Sequence, residues 1–166
     1  MGSRIEHRAE FSTDIATAYA AVAGEDALRA RLAELGGHSA AVVSYAEKAD
    51  GLEYELQQGI SADKLPGAIR TLHKGDLIVH RTQIWRPDGA GYLGASTVEV
   101  GGVPGQITAR TALDASGDKS VLNILGEVIV RIPLFGGKLE SVIAEQVSKL
   151  LEHESEFIAK WLAEAS

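Results

Sequence analysis

Apolar and polar residues alternate strictly near the start of the chain. In the segment RIEHRAEF (residues 4–11), Ile5, His7, Ala9 and Phe11 fall on one face, and charged residues occupy the other. A period of two residues is typical of a strand with one buried face. The pattern predicts a first strand with His7 among its inward positions.

The period then changes to that of two short helices. Ser12, Thr13 and Asp14 offer N-cap chemistry before apolar residues spaced by three and four, and Gly24 ends this pattern. A second helix is predicted from Glu25 to about Leu35, where a pair of glycines follows. The two helices should meet at a corner marked by Gly24.

Turn signals divide the middle of the chain into six further strands. Asp50–Gly51, Pro87–Asp88–Gly89 and Ser116–Gly117–Asp118 are examples, and such tight turns join antiparallel neighbours. The predicted strands lie near residues 39–48, 51–60, 76–86, 91–101, 105–114 and 119–132.

From about Gly137 to Glu164 the pattern is that of one long helix. Its apolar stripe consists of Leu139, Val142, Ile143, Val147, Leu150, Leu151, Phe157, Ile158, Trp161 and Leu162. The positions predicted to face solvent are Glu140, Glu145, Lys149, Glu152, Glu156 and Lys160, and His153 and Glu154 are also interpreted as solvated. At 1.5 Å per residue such a helix spans roughly 40 Å and can cross a whole sheet.

This order of elements predicts an α+β fold in a single domain over residues 1–166. A curved, seven-stranded antiparallel sheet would hold two short helices after its first strand and the long C-terminal helix across it, because each layer has an apolar face to bury. Small residues occupy several strand positions where a filled core needs bulk, which predicts a gap between sheet and helix. These residues are Gly94, Ser96, Ala109, Thr111 and Gly126.

Charge and composition exclude several functions. A net charge of −7 and a pI near 5.2 argue against binding to nucleic acid or to an anionic membrane surface. The chain has no cysteine, no apolar run long enough to span a membrane, and no signal-peptide pattern at its start. The histidines lack metal-ligand spacing. We therefore expect a cytoplasmic protein with no metal, no cofactor and no stable membrane anchor.

Three loops carry apolar residues beside glycine and proline, where solvent-exposed loops are usually polar. They are SADKLPGAI (61–69), GGVPGQI (101–107) and RIPLFGGKLES (131–141). Apolar loop residues next to flexible and rigid hinges suit the entrance of an apolar pocket. The alternative is that each side chain caps the end of the sheet and buries itself against the helix.

Five phrases carry a resemblance to a known superfamily: RIEHRAEF, ADKLPGAIR, GDLIVHRTQIWRPDGAGY, GGVPGQI and IPLFGGKLESVIAEQV. With the element order, they resemble the START-like (SRPBCC) superfamily and, within it, an actinobacterial family of unknown function. That superfamily has a helix-grip fold and includes birch-pollen-allergen-like proteins, lipid-transfer START domains and bacterial polyketide cyclases. The resemblance implies the fold and brings no catalytic residues.

The resemblance also implies where a ligand would bind. In that fold the pocket mouth lies where strand–strand loops meet the start of the long helix. The mouth residues would be Leu65, Pro66, Ile69, Val103, Pro104, Leu134 and Phe135. From the strand and helix faces, the walls would include Tyr54, Leu56, Gln58, Trp85, Tyr92, Val98, Ile107, Thr111, Leu122, Ile124, Val128, Leu139, Val142, Ile143 and Val147. The alternative for each of them is that it packs in the core.

The sequence leaves two candidate sets for the polar anchor of such a pocket. The strand LIVHRTQIW has polar residues on both faces, so either Arg81 with Gln83 or His80 with Thr82 could point inward. A surface charge pair across strands is the alternative. His7 is either a satisfied core histidine or an acid–base group in the pocket.

Three functions are compatible with these features. The first is a binding protein for a small hydrophobic ligand, such as a lipid, isoprenoid or polyketide, in a mainly apolar cavity with one or two polar anchors. A gap filled by side chains would contradict it. The second is a polyketide cyclase or aromatase, which needs a titratable residue in the cavity. The third is a protein-interaction or chaperone-like module; in each case we expect a monomer or weak homodimer.

Overall fold

A computed structural model describes residues 2–61, 67, 75–134 and 136–165. The strands in this part of the chain are β1 (Ser3–Phe11), β2 (Ala41–Lys48), β3 (Gly51–Ile60), β4 (Leu77–Asp88), β5 (Gly91–Val100), β6 (Gly105–Ser116) and β7 (Lys119–Val130). The helices in the same ranges are α1 (Ile15–Ala23), α2 (Glu25–Leu35) and α3 (Gly136–Ala165).

The predicted α+β helix-grip fold is confirmed. The described strands form one antiparallel sheet in the order β1-β7-β6-β5-β4-β3-β2. Successive strands from β2 to β7 are neighbours, while β1 pairs with β7 at the far edge. Because β1 and β2 lie at opposite edges, α1 and α2 form the connection between them.

Local sequence signals account for the two short helices. The Asp14 side chain accepts a hydrogen bond from the Thr17 backbone N–H at 2.9 Å and caps α1. Gly24 ends α1 by donating its N–H to the Ala20 carbonyl at 2.9 Å. A Cβ at Gly24 would lie 2.3 Å from that carbonyl oxygen, so the corner between the helices needs glycine.

The apolar core forms two clusters along α3. The Trp85 cluster lies beneath α1, α2 and the end of α3, and it includes Phe11, Leu113 and Ile158. The Leu139 cluster lies beneath the first half of α3 and includes Ile107 and Val128. Ile5 and Phe11, which the strand alternation placed inward, are both buried.

The start of α3 is tied to the sheet by a buried carboxylate. Glu140 accepts a hydrogen bond from the Val130 backbone N–H at 2.8 Å and is only 4% exposed. The sequence pattern predicted that Glu140 faces solvent, and this prediction was wrong. At the end of β7 the Val130 N–H needs an acceptor, and the first turn of α3 supplies one.

We predict that Glu140→Ala lowers the free energy of unfolding by about 1–3 kcal/mol, because it leaves a buried N–H without an acceptor. Urea unfolding followed by circular dichroism measures this. Glu140→Gln keeps an acceptor oxygen and should recover most of the loss. Glu145→Ala, which removes an exposed carboxylate of the same helix, is the control. Equal losses in the two alanine variants would contradict this role of Glu140.

Candidate functional site

A buried ion pair joins the sheet to the long helix. Nη1 of Arg81 on β4 donates to both carboxylate oxygens of Glu154 on α3, at 3.2 and 3.0 Å. The two side chains are 17% and 7% exposed. Contacts of this kind are strong only because the charges are shielded from water, and removing them from water is itself unfavourable.

The pair holds both groups in their charged forms. The Glu154 carboxylate raises the pKa of Arg81 more than burial lowers it. Burial pushes the pKa of Glu154 upward, but Arg81 and Arg31 together push it further down, so the net shift is downward. Both groups are therefore ionised near neutral pH.

A small cavity lies beside this pair. Its free volume is about 30 Å³, enough for one or two water-sized groups. Polar and apolar side chains both contribute to its wall. The lining residues are Val22, Arg31, Tyr54, Arg81, Gln83, Trp85, Thr111, Leu122, Ile124, Leu151, Glu154, Ser155 and Ile158.

Arg31 brings a second guanidinium to the cavity wall. It lies on the buried face of α2 with Leu28 and Leu32 and is 5% exposed. Arg31 is close enough to lower the pKa of Glu154. Within the described ranges, however, the ion pair of Glu154 is with Arg81, and Arg31 forms no ion pair or side-chain hydrogen bond.

Three further polar side chains surround the charges. The Tyr54 hydroxyl accepts a hydrogen bond from the Trp85 indole N–H at 3.1 Å, which leaves its own proton available to donate. Burial raises the pKa of Tyr54, so the hydroxyl stays neutral. Gln83 and Thr111 are 4% and 7% exposed and also line the cavity.

His7 contacts the site from the edge strand. Its Nε2 lies 2.7 Å from the hydroxyl oxygen of Ser155, which lines the cavity, while the imidazole itself does not. Burial lowers the pKa of His7, and the carboxylates of Glu152 and Glu154 oppose that shift. The neutral form is therefore favoured.

The structure shows which face of β4 points toward the cavity. Arg81, Gln83 and Trp85 point to the cavity, and Thr82 and His80 lie on the other face. His80 is exposed and its Nδ1 lies 3.7 Å from a Glu55 carboxylate oxygen. His80 therefore lies outside this cavity, because successive side chains of a strand point to opposite faces of the sheet.

Part of the sequence-predicted site comes together at the cavity: Tyr54, Arg81, Gln83, Trp85, Thr111, Leu122 and Ile124. Leu56 is packed in the Trp85 cluster, and Tyr92 stacks on Tyr19 with ring centroids 3.6 Å apart. Several predicted wall residues and the predicted mouth residue Val103 instead pack in the Leu139 cluster. The wall residues are Val98, Ile107, Val128, Leu139, Val142, Ile143 and Val147.

Two of the three apolar loops are in contact. The Arg131 N–H donates to the Pro104 carbonyl at 2.9 Å, which brings the loop before β6 to the loop before α3. Leu134, in the loop before α3, is 98% exposed and has φ +71°. The predicted mouth residues Leu65, Pro66, Ile69 and Phe135 lie outside the described residues.

Side chains fill part of the gap predicted from small strand residues, and a cavity of about 30 Å³ remains beside them. A Cβ at Gly94 would lie 2.6 Å from Nε2 of Gln83 and 3.0 Å from the Trp85 ring, so this glycine makes room for those two side chains. Gly126 similarly faces Ala109 on the neighbouring strand. Of the five small residues, Thr111 lines the cavity.

The expectation of a mainly apolar cavity is thus corrected to a small cavity of mixed lining. Sequence reasoning missed Glu154 and Arg31. Both lie at positions of an apolar stripe: Glu154 between Leu151 and Ile158 on α3, and Arg31 between Leu28 and Leu32 on α2. A charged residue at a core position of a helix was the available signal.

Within the described ranges, no group of three or more histidines and carboxylates is arranged to hold a metal ion. No described helix is long and apolar enough to cross a membrane.

Comparison with solved structures identifies the class of fold. The chain is similar to a START superfamily protein from Mycobacterium smegmatis, with a TM-score of 0.59, 10% identity, and 98% and 99% of the two chains covered. It is also similar to the protein TTHA0849 from Thermus thermophilus, with a TM-score of 0.68, 13% identity and 99% of each chain covered. The predicted START-like resemblance is confirmed at the level of fold.

Comparison of sequences identifies the family. The chain belongs to the family described as "Protein of unknown function (DUF2505)", which matches residues 6–162. It is 29% identical over 164 residues to the uncharacterized protein Rv0481c of Mycobacterium tuberculosis (strain ATCC 25618 / H37Rv), with 93% of each chain covered.

We predict that Glu154→Gln is more destabilising than Arg81→Met. Removing Glu154 leaves two buried guanidinium groups without a counter-charge, which should lower the free energy of unfolding by about 3–5 kcal/mol. Removing Arg81 leaves Glu154 opposite Arg31, so the loss should be smaller. Urea unfolding measures both, with Glu152→Gln on the exposed side of α3 as the control. A larger loss in Arg81→Met would contradict the charge balance described above.

The lowered pKa of His7 predicts a pH dependence of stability. Below the ordinary pKa of 6.5, the unfolded chain binds a proton on this histidine more readily than the folded chain does. The contribution of His7 to folding is therefore complete above pH 6.5 and decreases as the pH falls. The urea midpoint should fall less between pH 7.5 and 5.5 in His7→Gln than in the wild type. Exposed His153→Gln should follow the wild type; equal slopes for all three proteins would refute the prediction.

Proposed function

We propose that the protein binds a small organic molecule between the sheet and α3, at the cavity beside Arg81 and Glu154. The ligand would place a polar group among the buried charges and an apolar body against residues such as Trp85, Leu122 and Ile158. The single observation that carries the proposal is the burial of a charged cluster beside a cavity at the centre of the fold.

Stability alone does not explain that cluster. Replacing a buried ion pair with apolar side chains of similar volume is often neutral or stabilising. The Leu139 cluster shows that this chain can fill the space beneath α3 with aliphatic residues. Buried charges that converge on a cavity are instead typical of binding sites, where a few polar groups orient a ligand.

The small free volume limits how a ligand can enter. About 30 Å³ accommodates a polar headgroup, so the body of a ligand must displace side chains. The backbone of α3 packs mainly against β1, β7 and the two short helices. Long side chains such as Arg81 and Trp85 bridge the wider space in front of β4. Displacement of apolar lining side chains such as Leu122 and Ile158 would enlarge the site while the Arg81–Glu154 pair stays intact.

The cyclase-type alternative receives less support. Among the described lining residues, the ionisable groups are Arg31, Arg81, Glu154 and Tyr54. Glu154 has a lowered pKa and Tyr54 a raised one, and arginine stays protonated in proteins. None of these groups is suited to exchanging a proton at neutral pH. As part of the binding proposal, we also propose that the protein is cytoplasmic and is a monomer or a weak homodimer.

Native mass spectrometry of protein purified from cells tests binding directly. We expect a mass increment of up to one equivalent that denaturation releases as an organic molecule. Thr111→Leu fills the cavity and should remove the increment, while Thr108→Leu changes the exposed face of the same strand and should keep it.

Titration with N-phenyl-1-naphthylamine, an uncharged fluorescent probe, provides the second arm. Saturable binding that Thr111→Leu weakens and Thr108→Leu does not would support the proposal. A ligand-free mass together with no saturable probe binding would overturn it.

A further inference from the structure

The cavity wall carries an excess of positive charge. Arg31 and Arg81 contribute two cations, and Glu154 contributes one carboxylate. The carboxylate is already engaged, because Arg81 contacts both of its oxygens. One guanidinium charge therefore lacks a direct counter-charge in the described part of the chain.

Arg31 is fixed in this position by the packing of α2. The buried face of that helix consists of Ala27, Leu28, Arg31 and Leu32, so the arginine shares it with aliphatic residues. With 5% of its surface exposed, its guanidinium cannot be fully solvated. A desolvated cation without an anionic partner is energetically unfavourable. A ligand with a negative charge would supply the missing partner and so gain binding energy at this position.

The chemistry around Arg31 suits a planar, singly charged anion. Guanidinium offers a fork of N–H donors that matches the two oxygens of a carboxylate. The Tyr54 hydroxyl has a proton left to donate, because its oxygen accepts from Trp85. Gln83 and Thr111 add polar atoms to the same wall. The excess of one charge and the volume of about 30 Å³ both fit one carboxylate group.

We propose that the ligand of this cavity is a carboxylic acid in its ionised form, and that Arg31 is the residue that binds its carboxylate. This inference rests on the proposed ligand-binding function and specifies the chemical class of the ligand. The Arg81–Glu154 pair then serves to hold β4 and α3 in place beside the bound carboxylate.

Octanoate and 1-octanol form a matched pair of probes, since they share an apolar chain and differ in charge. Calorimetric titration at pH 7.5 should show octanoate binding at least about tenfold more tightly than 1-octanol to the wild-type protein. Arg31→Met keeps an apolar stem of similar length and should reduce the ratio of the two affinities to about one. Arg31→Lys keeps the charge without the fork and should give an intermediate value.

Arg29→Met is the matched control on the same helix. Arg29 is exposed and pairs with Glu25 at 2.6 Å, so its loss should leave the octanoate preference unchanged. Circular dichroism and the urea midpoint confirm that each variant is folded. Arg31→Met removes a buried charge without a direct partner but also its attraction to Glu154, so its urea midpoint should stay close to that of the wild type.

The outcomes separate this inference from the proposed function. Equal affinity for octanoate and 1-octanol in the wild type would overturn the carboxylate assignment and leave ligand binding intact. An octanoate preference that survives Arg31→Met would show that Arg31 is not its receptor and would also overturn the inference. Binding of neither probe, with a ligand-free native mass, would overturn both.

Discussion

The ion pair between Arg81 on β4 and Glu154 on α3 connects the two layers of this fold at their centre. On α3, Glu154 follows Leu151 of the Leu139 cluster and precedes Ile158 of the Trp85 cluster. The pair thus interrupts an otherwise continuous apolar core. The polar side chains of Gln83, Tyr54 and Thr111 lie beside the same cavity as the two charges.

This arrangement explains why the site differs from a simple apolar pocket. An aliphatic lining would allow side chains to collapse together, as they do in the Leu139 cluster. Charged and hydrogen-bonding groups prevent complete collapse, since they need polar partners at defined distances. The remaining cavity lies next to the charges for that reason.

Much of the fold could be predicted from the sequence. The alternation around Ile5 and Phe11, the cap at Asp14 and the corner at Gly24 each reflect local physics that tertiary packing did not override. The orientation of β4 could not be predicted, because polar residues occupy both of its faces. The inward face is the one that carries Arg81 toward Glu154 of α3, and His80 lies on the opposite face.

The candidate site was harder to predict for a similar reason. Most of the apolar wall residues lie in the two core clusters, and periodicity does not distinguish a packed core from a cavity lining. Glu154 and Arg31 were missed because a charge within a helix is usually solvated. Their positions within apolar stripes become informative only when a partner across the core, such as Arg81, is known.

A high-resolution crystal structure of the protein as purified from cells tests the central claim most directly. The account predicts electron density for an organic molecule in the cavity, with a carboxylate within hydrogen-bond distance of Arg31 and an apolar body toward Trp85. A cavity that contains only ordered water, in a protein whose native mass is also ligand-free, would contradict it. In that case the buried charges would serve only to fix how β4 and α3 pack.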